Sequence, residues 1–419
     1  MSRIEEMLRE LCPEGVEYRP LGEVGIFIRG NGIQKADFVD SGVACVHYGQ
    51  IHTRFGIATD RAITMISSEK AERLRHVEHG DLMIATTSED DAAVAKATTW
   101  LGSGELVIGG DAYIYRHSLD PKYVSYFFAS DVFQAQKIRF VTGTKVRRIS
   151  DSSLARIRIP VPPLDIQWEI VRILDSFTEL ESELESELEA RRKQYAFYRD
   201  RLLNFESVRE GGRTSVLGLP PFGVEWKAMA EFSQISRGAS PRPIRNYIVS
   251  NGVPWIRIGD VPVSGKYVTA TEQCILKEGL SKSRRVFPGD FILSNSMSFG
   301  RPYISMIEGC VHDGWLVISG YEEVMDRDFL YHLLRSTRVQ QYFVQNAGEG
   351  TVKNLNSEIV SKLEIAVPPL DVQRRIADVL DFFDALVNDL SFGLPAEIEA
   401  RRAQYEHYRD MLLTFPEKK

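Results

Sequence analysis

Cysteine is scarce in this 419-residue chain: Cys12, Cys45, Cys274 and Cys310 are the whole complement, and no two form a Cys-x2-Cys pair. That spacing excludes a zinc ribbon or a disulfide framework and makes a reducing compartment, the cytoplasm, the default expectation. No run of 18 apolar residues occurs, so no membrane helix is expected. The segment Met1-Ser2-Arg3-Ile4-Glu5-Glu6-Met7-Leu8-Arg9-Glu10 reads as charged and amphipathic, unlike a signal peptide. Catalytic motifs are missing too. Gly259 and Gly265-Lys266-Tyr267 enclose five residues and end in tyrosine, where a phosphate-binding loop needs four residues and then Lys-Ser or Lys-Thr. Leu219-Pro220-Pro221-Phe222 lacks the Asn or Asp that an amino-methyltransferase needs before Pro-Pro-aromatic, and Gly-x-Ser-x-Gly is absent. His47, His52, His76 and His79 share one region without the carboxylate or cysteine spacing of a metal site. The chain reads as a recogniser.

What is present is ordinary globular material, 43% hydrophobic and 26% charged, enough for two or three domains at about 150 residues each. The net charge of −7 would argue against nucleic acid, but its distribution changes that reading. Residues 164–206 hold 11 acidic and 6 basic side chains, and residues 370–419 hold 10 and 7. Everything outside those two segments is close to neutral.

The two acidic segments are copies of each other. Val161-Pro162-Pro163-Leu164-Asp165-Ile166-Gln167 recurs as Val367-Pro368-Pro369-Leu370-Asp371-Val372-Gln373. Glu189-Ala190-Arg191-Arg192 recurs as Glu399-Ala400-Arg401-Arg402, and Tyr198-Arg199-Asp200 as Tyr408-Arg409-Asp410. Weaker pairs lie upstream: Arg29-Gly30 with Arg237-Gly238, Gly80-Asp81 with Gly289-Asp290, and Gly143-Thr144 with Gly350-Thr351. The chain is therefore a duplicated cassette, each copy a divergent body followed by a similar tail.

Both tails carry apolar residues at spacings of three, four or seven, the period of a coiled-coil seam. In the first these are Ile170, Leu174, Phe177, Leu184, Leu188, Tyr195 and Tyr198; in the second Ile376, Leu380, Phe383, Leu390, Leu394, Ile398, Tyr405 and Tyr408. Pairing of the two stripes is expected, with Pro163 and Pro369 at the helix starts. Gly393 and Pro395 predict a kink or tight turn in the second tail. In the bodies, Leu82–Ala85 and Phe291–Leu293 predict strands after Gly-Asp hairpin turns, and Tyr123–Phe128 and Phe329–Leu334 predict short helices. The expected fold is α+β: mixed bodies at 1–161 and 222–367, helices at 162–205 and 368–415, and a Gly/Pro-rich linker at 206–221.

Several loops of the bodies mix basic and amide side chains, which suit phosphate, guanine and adenine. The first body offers Gln50, Thr53, Arg54, Lys145, Arg147 and Arg148. The second offers Arg242, Arg245, Asn246, Asn295, Ser296, Arg301, Lys353 and Asn354. A duplicated coiled-coil scaffold that binds proteins rather than DNA is the alternative, and these loops argue against it.

The doubled Pro-Pro-Leu-Asp-x-Gln start, the run Gly393-Leu394-Pro395-Ala396-Glu397-Ile398-Glu399-Ala400-Arg401-Arg402 and the closing Tyr-x2-Tyr-Arg-Asp segments resemble the specificity subunits of type I restriction–modification systems. The resemblance covers essentially the whole chain. It implies two target recognition domains, each followed by one conserved helix, the helices packing antiparallel. It implies double-stranded DNA, two modification (methyltransferase) subunits and two restriction (motor and nuclease) subunits as partners. The stripe residues would then also face subunits. No catalytic residue is implied here, and S-adenosylmethionine, ATP and magnesium are expected on the partners.

Overall fold

The computed structural model describes residues 2–261, 265–296, 299–347, 354–389 and 393–418. They form two compact units: Met1–Ser182 with Ala400–Lys419, and Glu183–Glu399. Each unit thus combines one body with a piece of each tail, and the long helix Leu164–Leu202 contributes residues to both. No helix among the described residues is long and apolar enough to cross a membrane.

In the first unit one five-stranded sheet runs in the order Gly25–Arg29, Ala112–His117, Leu82–Ala85, Ala97–Trp100, Ala58–Thr59. A second runs Phe38–Val39, Thr64–Ile66, Val43–Val46, Leu106–Ile108, Arg75–Val77. Leu82–Ala85 is buried at every position, which is why it reads as a continuous apolar run rather than an alternating one. The helix Pro121–Ala129 starts at Asp120, whose carboxylate accepts from the Tyr123 N–H, and Pro121 takes a first-turn position where no N–H is needed. Its rings join Ile166, Ile170 and Leu174 of the first tail and Leu412, Leu413 and Phe415 of the second in one core.

The second unit repeats this strand order. Its sheets run Gln234–Arg237, Trp315–Ser319, Phe291–Ser294, Pro302–Ser305, Tyr267–Val268 and Ile248–Val249, Cys274–Ile275, Val253–Ile256, Gly309–Val311, Arg284–Val286. The helix Arg327–Leu334 is capped by Asp326 and packs with Tyr195 and Leu203 of the first tail and Ile376, Ala377 and Leu380 of the second. The internal repeat read from a handful of dipeptides is therefore a repeat of topology through both bodies.

Two expectations need correction. The Gly80-Asp81 and Gly289-Asp290 turns do not close hairpins. Each joins strands of different sheets, Arg75–Val77 to Leu82–Ala85 and Arg284–Val286 to Phe291–Ser294. The glycines supply φ values of +89° and +101°, and the aspartates accept from the N–H groups of Glu78 and Phe287 at 2.8 Å. The second tail is also broken rather than kinked. One helix ends at Asn388 and another begins at Gly393, whose φ is +75° and whose Cβ, if present, would lie 2.5 Å from the Leu386 carbonyl oxygen. Pro395 falls in the first turn of the new helix, where it is tolerated.

Candidate nucleic-acid interface

The backbone brings the same three segments to one corner of each body. In the first unit Arg29 ends its strand opposite Tyr113, the Thr86 N–H donates to the Asp111 carbonyl at 3.0 Å, and the Ile149 N–H donates to the Thr86 carbonyl at 3.2 Å. In the second unit Arg237 sits opposite Leu316, the Asn295 N–H donates to Gly314 at 3.0 Å, and the Leu355 N–H donates to Asn295 at 2.8 Å. Arg29 thus corresponds to Arg237, Thr86 to Asn295 and Arg148 to Asn354. The glycine after each arginine is fixed by close approach. A Cβ on Gly30 would meet the Gly109 carbonyl oxygen at 2.2 Å, and one on Gly238 the His312 carbonyl oxygen at 2.0 Å.

In the first unit this corner holds a cleft of about 260 Å³, lined in part by Arg29, Thr87, Asp111, Tyr113, Thr142 and Arg148. Arg29 and Arg148 are exposed and have no ion-pair partner among the described residues, so both guanidinium forks are available to phosphate or guanine. Arg147 is not: it pairs with Asp91 at 2.9 Å and donates to the Gly143 carbonyl at 2.6 Å, closing the loop that exposes Lys145. His52 bonds the Thr87 carbonyl at 2.8 Å and so ties the helix bearing Gln50, Thr53 and Arg54 to the Thr87 strand. Arg54 is exposed, and the Thr53 hydroxyl donates to Gly49. Gln50, expected to read a base, is instead engaged at both ends. Its carbonyl accepts from the His47 N–H at 3.0 Å, and its amide donates to the Thr64 hydroxyl at 3.1 Å.

In the second unit Asp313 organises the corner. Its carboxylate accepts from the Ser240 hydroxyl at 2.7 Å and from Arg242 at 3.0 Å. The Ser240 hydrogen bond, with Arg242 beside it, holds the carboxyl below its usual range. Asn295 is buried, and its amide donates to the Asp313 carbonyl at 2.8 Å, which makes it loop scaffold and not a surface reader. Ser296 is half-buried beside it. Arg245, Asn246 and Asn354 are exposed, and the Arg301 guanidinium lies over the Tyr303 ring at 5.3 Å. Lys353 lies outside the described residues.

The stripe residues fall into the two units. Ile170 and Leu174 are buried in the first, where Phe177 stacks on Tyr408 at 5.4 Å and Tyr405 meets Tyr126 at 6.4 Å. In the second, Tyr195, Ile376, Leu380 and Ile398 are buried; Leu184, Leu188, Phe383 and Leu394 are half-buried. Tyr198, more exposed, stacks near Phe383 at 6.3 Å. Leu390 lies outside the described residues. Within each unit, the tail segments run antiparallel: residues 177 and 181 meet 408 and 402, and residues 192 and 198 meet 387 and 383.

A sequence model described as type I restriction modification DNA specificity domain matches residues 13–191 and again 222–400. The chain belongs to this specificity-subunit family. Its relatives include a type I restriction enzyme specificity subunit of Escherichia coli, 33% identical over 66% of this chain and 68% of that one. A putative specificity subunit of Haemophilus influenzae is 32% identical over 66% and 69%. A chain solved in a study of type I complex assembly and conformational transition superposes with a TM-score of 0.66 over 95% of this chain and 97% of that one, at 16% identity. The fold is shared. As a specificity subunit, the chain serves DNA recognition in a restriction–modification complex and is not itself a catalyst.

Sequence reasoning missed Arg29, Asp111, Tyr113 and Asp313 at these corners, and took Arg237 only as the first residue of a basic loop, 237–246. The repeated Arg-Gly dipeptide was the available signal for the two arginines. Asp111, Tyr113 and Asp313 had none, because only the sheet register brings them to the site.

Proposed function

We propose that this specificity subunit binds a bipartite, asymmetric double-stranded DNA site, one half-site per recognition body, and positions two modification and two restriction subunits on it. In this reading S-adenosylmethionine, ATP and magnesium belong to those partners, this chain holds none of them, and the assembly works in the cytoplasm. One observation carries the proposal. The two bodies share strand order, corner hydrogen bonds and a corner arginine, yet Asp111 and Arg148 in one stand where Gly314 and Asn354 stand in the other. A common scaffold implies a common approach to the duplex, and different side chains at its corner imply different bases. The test is single-molecule sequencing of methylated adenines in a host carrying the whole system. An interrupted motif with unlike halves is expected; a continuous or palindromic motif overturns the proposal.

A further inference from the structure

The first unit contains a cavity of about 650 Å³, within the range of small-molecule sites. The second unit explains why it is there. The Ile57 carbonyl accepts from the Thr99 N–H at 2.9 Å, and in the corresponding strand pair the Lys266 carbonyl accepts from the Ile304 N–H at 2.9 Å, so Lys266 is the counterpart of Ile57. Its ammonium lies between Asp328 at 2.7 Å and Asp381 at 2.6 Å. Counting from the capping residues Asp120 and Asp326, Ala129 corresponds to Arg335, which reaches Asp384 at 2.8 Å. Two long cationic side chains therefore occupy in the second unit the space that Ile57 and Ala129 leave open in the first.

The open space is neither dry nor neutral. Lys122 lines it but is already paired with Asp175 at 2.7 Å. Lys96 also lines it, and its ammonium has the His52 carbonyl at 2.9 Å and no carboxylate partner among the described residues. Burial holds this lysine below its usual pKa, with no opposite charge to offset the penalty. An anion at that point would relieve it. The remaining wall is mixed: Tyr405, Ile57, Ala92 and Ala93 are apolar, Gln134, Thr178 and Ser182 are polar, and Tyr126 and Phe128 are buried behind the surface.

We propose that this cavity is a binding site for a small anion with a planar body, its phosphate or carboxylate on Lys96 and its body against Tyr405 and the alanines. A nucleoside monophosphate is the simplest such ligand. Ala92 and Ala93, which line the cavity, adjoin Asp91, the partner of Arg147 at the DNA-facing corner, so occupancy would stiffen that loop.

The experiment uses the full chain in complex with its methyltransferase partner, titrated calorimetrically with adenosine monophosphate, adenosine and inorganic phosphate. The monophosphate should bind more tightly than either fragment. Ala129→Arg, which restores the side chain found in the second unit, should abolish binding. Lys96→Met, which removes the ammonium and its bond to the His52 carbonyl, should weaken binding tenfold or more, as expected for a lost charge-assisted hydrogen bond. Photo-crosslinking with 8-azidoadenosine monophosphate should label peptides containing residues 92–97, 122–129 or 175–182. No heat with any of the three probes, binding unchanged in both variants, or labelling confined to other peptides or to the partner would each overturn the proposal.

Discussion

The side chain of Gln167 joins a tail to a body. It accepts from the Asp120 N–H at 2.9 Å and donates to the Pro162 carbonyl at 2.7 Å, while itself 1% exposed. Gln373 repeats both bonds with Asp326 and Pro368, each at 2.7 Å. The glutamine of Pro-Pro-Leu-Asp-x-Gln thus fixes the start of the tail helix to the capping residue of the body helix. The Tyr-Arg-Asp motif does the complementary job. Asp410 accepts from the Asp131 N–H at 2.8 Å and Asp200 from the Thr337 N–H at 3.0 Å, each at the start of the body's second helix.

Replacing Gln167 by Leu leaves a half-buried N–H and a buried carbonyl without their side-chain partner. The loss should be about 2–6 kcal/mol, at about 1–3 kcal/mol for each unsatisfied group. Chemical denaturation of the full chain, followed by tyrosine and tryptophan fluorescence, should show the transition of the first unit moving to lower denaturant. Gln373→Leu should move the other. Equal effects of one variant on both transitions would contradict the division into two units.

The corner glycines give a second prediction. Gly30→Ala and Gly238→Ala each place a methyl group against a backbone carbonyl, so the strand must shift, at a cost of about 1–3 kcal/mol. The preceding arginine moves with it. Recognition of one half-site should therefore decline in each variant while the other half-site persists, as read by the methylation motif.

How much of this was legible is uneven, for physical reasons. The tails were readable because a helix stripe repeats locally and because Gln167 and Asp200 serve contacts present twice. The strand Leu82–Ala85 and the middle of the helix Pro121–Ala129, expected at Tyr123–Phe128, followed from apolar runs, whereas the capping Asp120-Pro121 went unread. Sheet order was not readable, since Ala58–Thr59 pairs with Thr99–Trp100 across 41 residues with nothing local to mark it. The reading loops were legible only as composition. Lys145 and Arg147 look alike in sequence, yet one is exposed and the other is paired with Asp91, and only the fold separates them.

That separation is testable. Lys145→Ala should weaken binding to all DNA sequences alike and flatten the dependence of log K on log salt by about 0.9, the value for one lost phosphate contact. Arg29→Met should instead relax preference at one base pair, by about 1–3 kcal/mol. Fluorescence anisotropy on matched and mismatched duplexes at several salt concentrations distinguishes the two. A uniform loss from Arg29→Met would move that residue to the backbone-contact class.

Lys137 supplies a pH dependence. It is 1% exposed, and its ammonium donates to the carbonyls of Ala92 at 3.0 Å and Val94 at 2.9 Å. Burial lowers its pKa to about 8, although Asp90 and Asp91 act to raise it. In the unfolded chain it titrates near 10.4, so between about pH 8 and that value the unfolded chain holds a proton that the folded chain has lost. Stability should rise with pH across that window, by up to about 1.4 kcal/mol per unit, and show no such slope below it. Lys137→Met should remove the rise, seen as a difference between variant and parent in unfolding free energy against pH. A parallel pair of curves would mean that the buried ammonium keeps its proton.

The last prediction concerns the distance between half-sites. Glu179-Leu180-Glu181-Ser182, Glu183-Leu184-Glu185-Ser186 and Glu187-Leu188-Glu189-Ala190 are near-identical tetrapeptides inside the helix Leu164–Leu202. Leu180, Leu184 and Leu188 are all half-buried, whereas Glu183, Glu185 and Ser186 are exposed. One tetrapeptide can therefore be added while the apolar stripe and its solvated face both continue. Four residues lengthen a helix by about 6 Å and rotate it by about 40° beyond a full turn. One base-pair step of B-DNA rises about 3.4 Å and, at 10–10.5 pairs per turn, rotates about 35°. The rotation matches one step and the rise nearly two. Rotation should decide the outcome, because a misphased body faces the wrong side of the duplex and makes no base contacts. Duplicating Glu183–Ser186 should therefore lengthen the unread gap by one base pair and leave both half-sites unchanged in the methylation motif. A gap of unaltered length would show that this helix does not set the spacing.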